Sequence, residues 1–221
     1  MSSLAGHAKI TRAALAMLAA DGRVAGSVLD PARVTARVLS RDILDLLTLG
    51  HWRDPAQCRH FMRRFDGQGG REAYDEAVAW IRSRAAGAAR VLARHGAPSQ
   101  ALGDALHAVQ DSFAPGHAER EAANGPFPGA IRRIRRYAGA DKAGHAEGDA
   151  AWRGAGADGL SDAGRHAARA SCDLLRLIDE AAATGGDPAP DGFESFRRKW
   201  LAASPALSGE RDDPIAFLRR F

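Results

Sequence analysis

The stretch LGDALHAVQDSFAPGH runs from Leu102 to His117. Within it Leu102, Leu106, Val109 and Phe113 recur at steps of three and four, the apolar stripe of a helix packed on a core. His107 and Asp111 lie four apart, so they leave that helix on one face, one turn apart. Pro115 and Gly116 then break the helix and His117 follows. Two imidazoles and a carboxylate therefore share one short segment and can reach one metal ion or two neighbouring ones. Taken alone, His-x3-Asp on a helix is equally a common surface hydrogen bond.

Working outward, Ser99 in GAPS caps this helix. Upstream, Arg71 to His95 reads as a long helix with Tyr74, Val78, Ile81, Ala85, Ala88 and Leu92 along one side. FDGQGG before it is a loop, and GHWRDPAQCRHF (Gly50 to Phe61) is a turn-rich link carrying His51 and His60. Pro31 to about Leu49 forms a helix with Asp30 as N-cap and Pro31 in the first helical position. Residues 7 to 20 form an amphipathic helix with Ile10, Ala14, Leu15 and Met17 or Leu18 inward. Downstream, the chain is loose through NGPFPG. IRRIRRY (Ile131 to Tyr137) reads either as a solvated helix face or as a clamp on phosphate or anionic lipid. Ala140 to Arg153 is a further helix with His145 and Asp149 four apart, and Ser161 to about Ala183 another. GGDPAPDG is a linker, and two short helices close the chain. No stretch alternates with a period of two, so the expected class is all-α. Residues 1–184 form a helical metal-binding domain, and residues 185–221 a linker and C-terminal helices packed on it.

The 221 residues suffice for one domain with a real core. A net charge of +4 is mildly basic and favours phosphate-bearing partners only weakly. The two cysteines, Cys58 and Cys172, make no disulfide framework. No apolar run approaches the roughly 18 residues of a membrane span, so stable membrane insertion is not expected. Arg12 and Asp21 interrupt the apolar residues near the N-terminus, unlike a signal peptide. The expected location is cytoplasmic.

Candidate ligands fall in five segments. His7, His60, His107, His117 and His145 stand at element starts or are paired with a carboxylate, and Asp45, Asp111 and Asp149 accompany them. Imidazole and carboxylate without thiolate suit catalytic zinc. There are too many donors for one tetrahedral ion, and two or three ions is the natural count. Asp42 competes with Asp45, and Glu147 with Asp149. Trp52, Trp80 and Trp152 read as core residues that could also stack a base. His95 sits at a helix C-terminus, and His166 is expected to face solvent.

In order and spacing, this set resembles the zinc-dependent phospholipase C superfamily, which includes single-strand nucleases and 3′-nucleotidases. The family pattern His-x3-Asp-x5-His is met by His107, Asp111 and His117, and the following His-x3-Asp by His145 and Asp149. Its N-terminal Gly-His is met by Gly6-His7, and its Asp about fifteen residues before His-aromatic by Asp45 and His60-Phe61. The resemblance implies one zinc held by Asp45, His60, His107 and Asp111, and a second by His117, His145 and Asp149. A third would be held by His7, a shared Asp111 carboxylate and the N-terminal amine with its carbonyl. The exported members begin with tryptophan. Here Ser2 lies five residues before His7, so removal of Met1 would put the Ser2 amine in register.

The chemistry implied is hydrolysis of a phosphoester by zinc-activated water, with Asp45 orienting or deprotonating that water. The partners implied are a small phosphoester, a phospholipid or single-stranded nucleic acid, with Arg132, Arg133, Arg135 and Arg136 as candidate steering residues. Alternatives are a non-catalytic helical protein that keeps the cluster, or an iron or manganese enzyme with another reaction.

Overall fold

A computed structural model describes residues 2–22, 29–48, 54–64, 67–123, 125–136, 152, 154 and 158–209. The helices among them are α1 (Ser2–Ala20), α2 (Pro31–Thr48), α3 (Gly70–His95), α4 (Gln100–Asp111), α5 (Asp162–Ala183) and α6 (Pro190–Trp200). Two 3-10 turns, Asp54–His60 and Pro205–Gly209, and two short strands, β1 (Ala118–Arg120) and β2 (Ile131–Ile134), complete the described elements. No described helix is long and apolar enough to cross a membrane.

Local chemistry sets the helix ends. The amides of Ala32 and Arg33 donate to Asp30 Oδ1 at 2.8 and 3.2 Å, starting α2. The Ser99 and Ser161 hydroxyls accept from Leu102 and Gly164, starting α4 and α5. α3 stops at Gly96, whose left-handed φ of 59° aims its amide at the Leu92 carbonyl.

α4 is the axis of the molecule. All of its residues from Leu102 to Asp111 are buried, the signature of a helix surrounded on every side. α1, α2, α3 and α5 pack around it. α2 comes closest at Gly103, where a Cβ would meet the Arg37 carbonyl oxygen at 2.2 Å. Arg41 of α2 donates through Nε and Nη2 to Asp104 Oδ1 of α4 at 3.1 and 2.9 Å, and both side chains are largely buried. The next turn of each helix carries a candidate ligand, Asp45 on α2 and His107 on α4.

IRRIRRY departs from the expected helix. Ile131–Ile134 is a strand, antiparallel to β1. Ile131 pairs with Arg120 and Arg133 with Glu119, so Arg132 is the extra residue of a bulge. The bulge turns Ile131 and Ile134 to the same buried face, giving a strand the three-residue spacing of a helix. β2 also ties three regions together. Arg63 N donates to Arg135 O at 2.9 Å, Arg135 N to His117 O at 2.8 Å, and Ile131 N to Ala202 O at 2.7 Å.

α4 ends at Asp111, before Phe113, and a tight turn delivers His117, whose amide bonds the Ala114 carbonyl at 2.9 Å. The described part of the C-terminal region belongs to the same core through Phe193, Phe196, Trp200, Leu201 and Leu207. It contains one helix and a 3-10 turn, and the expected last helix over PIAFLRRF lies outside the described residues.

Candidate metal centre

Four imidazoles from four segments close on one carboxylate. α1 supplies His7, the first 3-10 turn supplies His60, α4 supplies His107 and Asp111, and the turn after α4 supplies His117. All five are between 0% and 3% exposed. The two oxygens of Asp111 divide the set. Oδ1 faces His7 Nε2 at 3.2 Å. Oδ2 faces His107 Nε2 at 3.0 Å, His60 Nδ1 at 3.2 Å and His117 Nδ1 at 3.7 Å. His107 Nε2 and His60 Nδ1 are themselves 3.1 Å apart. The His7 and His107 rings stack with centroids 4.3 Å apart.

This donor set fits a metal. Nitrogen and oxygen ligands at about 2.0–2.1 Å on a tetrahedral zinc lie about 3.3 Å from one another. The His60–His107–Asp111 triangle, with edges of 3.0–3.2 Å, has that spacing. His7, His107 and Asp111 likewise offer ligand atoms all within 4.8 Å of one another.

The tautomers point the same way. Gln110 Nε2 donates toward Thr11 Oγ1 and Ser171 Oγ at 3.0 and 3.3 Å, which leaves its Oε1 to accept from His7 Nδ1 at 2.7 Å. His7 therefore carries a proton on Nδ1 and turns Nε2 toward Asp111 Oδ1. A shared proton or a bound cation would join that nitrogen to the carboxylate. His117 Nδ1 donates to the His60 carbonyl at 2.6 Å, which leaves Nε2 as the nitrogen available to a ligand.

Burial alone would raise the Asp111 carboxyl. The charges of His107 and His117, with hydrogen bonds from His107 and His60, overcome it and hold the group well below the usual carboxylate range. Asp111 is an anion, ready to ligate.

Second contacts fix the ligands. The Trp152 ring meets His7 edge-on at 4.6 Å. A Cβ at Gly6 would lie 2.4 Å from that ring, so glycine is required inside α1 where helix propensity disfavours it. Phe61, directly after His60, takes a left-handed φ of 52° and packs its buried ring edge-on against Tyr74. Cys58 and Cys172 are free thiols.

Of the residues singled out from sequence, His7, His60, His107, Asp111 and His117 come together. The side chains of Ser2 and Asp45, and all of His51, Trp52, His145, Glu147 and Asp149, lie outside the described residues. Trp152 is core, as expected, and Trp80 is partly buried beneath Arg84, whose Cζ sits 3.9 Å from the ring centroid. His166 is half-buried rather than solvent-facing, bonded to the Pro126 backbone. The arginines in and just after β2 gather on Glu119, from Arg132 at 3.1 Å, Arg133 at 3.5 Å and Arg135 at 2.6 Å. Arg136 bridges to Arg63 through the backbone.

Gln110, Thr11 and Ser171 escaped the sequence reading. Their signal was weak: three uncharged polar residues, each 0% exposed in the folded protein. Comparison with known proteins gives no match, neither to a family model, nor to a curated protein, nor to a solved structure.

Proposed function

We propose that the chain is a zinc-dependent phosphoester hydrolase of the phospholipase C and nuclease type. The observation that carries this reading is the Asp111 carboxylate, ringed by four buried imidazoles whose nitrogens lie 3.0–3.7 Å from its oxygens. Two to three ions would be held, by Asp45, His60, His107 and Asp111, by His117, His145 and Asp149, and by His7 with the Ser2 amine and Asp111. Bound zinc supplies a Lewis acid and an activated water for attack at phosphorus. In that reaction a water oxygen bonds to phosphorus, one ester P–O bond breaks, and a proton passes to the leaving oxygen.

The chain's own residues orient and shield. Gln110 fixes the His7 tautomer, and burial excludes bulk water from the ligands. Asp45 orients or deprotonates the attacking water. Arg132, Arg133, Arg135 and Arg136, on and just beyond β2 where Arg135 N bonds the His117 carbonyl, steer a phosphate toward the centre. A small phosphodiester, a phospholipid headgroup or single-stranded nucleic acid meets these requirements.

The test is metal content by plasma mass spectrometry together with hydrolysis of bis-p-nitrophenyl phosphate, with His107→Ala as control. Two to three zinc ions per chain and hydrolysis lost in the variant support the reading. Tight metal binding without hydrolysis of any phosphodiester points to a non-catalytic cluster, or to an iron or manganese centre of other chemistry. No metal uptake at all ends the proposal.

A further inference from the structure

A second site lies at the other end of α1. A cleft of about 420 Å³ opens between that end of α1, the middle of α5, the end of α6 and the loop carrying Pro126 and Phe127. Met17 in its wall is ten residues beyond His7, about 15 Å along the helix axis. The cleft is therefore separate from the metal centre.

Its two sides differ in chemistry. One is apolar, formed by Met17, Pro126, Phe127 and Trp200. Phe127 is 44% exposed, although its ring meets Trp200 edge-on at 5.9 Å. The other side sets three cations, Arg169, Arg176 and Lys199, against two carboxylates, Asp21 and Asp173.

Both acids are already engaged. Asp173 accepts from Arg176 at 2.9 Å, Lys199 at 2.7 Å and the Trp200 indole N–H at 2.8 Å. Asp21 pairs with Arg176. Among the described residues Arg169 has no carboxylate partner. Burial first, then the charges of Arg169 and Arg120, lower the affinity of His166 for a proton, while the Pro126 backbone and Asp162 act in the opposite sense. The Lys199 ammonium, 4.8 Å from the Trp200 ring centroid and 5.3 Å from that of Phe127, joins the two sides.

We propose that this cleft binds a small amphiphilic oxyanion, its head on the Arg169 guanidinium and its aliphatic or aromatic body against Phe127 and Trp200. A guanidinium matches a phosphate or carboxylate fork, and the adjoining rings reward an apolar tail. The site stands apart from the metal chemistry and keeps its ligand whether or not the centre is loaded.

The probe is hexyl phosphate, titrated calorimetrically into the full-length protein. Saturable binding is expected, weakened about tenfold by Arg169→Ala. Asp173→Asn, which frees two cations from their shared acid, strengthens it. Asp111→Ala leaves it unchanged, which separates this site from the proposed metal centre. Sedimentation with phosphatidylcholine vesicles containing phosphatidic acid distinguishes the source of the anion. Co-sedimentation lost in Arg169→Ala and Phe127→Ala assigns a lipid headgroup, and hexyl phosphate binding without co-sedimentation assigns a free amphiphile. Absence of saturable binding to both probes overturns the proposal. So does binding indifferent to Arg169→Ala, or binding abolished by Asp111→Ala.

Discussion

The two ends of α1 handle charge in opposite ways. Around His7 the polar groups are dry, and four imidazoles crowd one carboxylate. Around Met17 the acids and bases are wet and paired, with one guanidinium left over. The first arrangement is costly to assemble, because ionisable groups taken out of water forfeit their hydration, and a bound cation offsets that cost. The second is stable as it stands, because water screens it. A site that must hold an ion firmly is built in the first way, and a site that exchanges an organic ligand in the second.

The contrast breaks most severely at Asp111. Asp111→Ala should abolish metal uptake in equilibrium dialysis. It should also remove the thermal stabilisation that saturating zinc gives, about 4 kcal/mol at a thousand times its Kd. A variant that still binds zinc stoichiometrically would contradict the central role of this carboxylate. Asp104→Asn tests the frame instead of the ligands. Removing one partner of a largely buried ion pair should cost about 3–5 kcal/mol, read from the urea midpoint. The apolar double variant Arg41→Met with Asp104→Leu should recover most of that loss.

Gly6→Ala comes next. In an open helix this change would stabilise by up to about 1 kcal/mol. With the Trp152 ring 2.4 Å from the new Cβ, a loss of about 1–3 kcal/mol in chemical denaturation is expected instead, together with weaker zinc binding. A stabilised variant would mean that the ring does not hold His7. The smallest effect on stability belongs to the wet end. Asp173→Asn should change it by less than about 1 kcal/mol, since the pairs it breaks are partly exposed.

The sequence was most legible where structure is local. Asp30, Ser99 and Gly96 sit at helix ends because capping chemistry acts over three or four residues, and these boundaries were readable to within a residue or two. The His107–Asp111 pair was readable for the same reason. Convergence of His7, His60 and His117 on it was not a matter of periodicity, and it entered only through the ordered set of motifs. IRRIRRY misled because a bulge at Arg132 gives Ile131 and Ile134 the spacing of a helix. Gln110 was invisible because its value lies in contacts with Thr11 and Ser171, 99 and 61 residues away in the chain. The cleft escaped altogether, since its walls come from four separated segments.

The ladder through β2 carries a consequence for the limits of the domain. Ile131 exchanges backbone hydrogen bonds with Ala202 and Ser204, and four residues on Arg135 bonds to His117 and Arg63. Residues 202–204 thus belong to the same cooperative unit as two ligand-bearing turns, although they carry no ligand themselves. Cleavage between Trp200 and Ala202 would release more than a tail. Amides at Arg135, which bonds the His117 carbonyl, and at Arg63 would lose protection from hydrogen exchange together with those of β2, as one foldon opening at its seam.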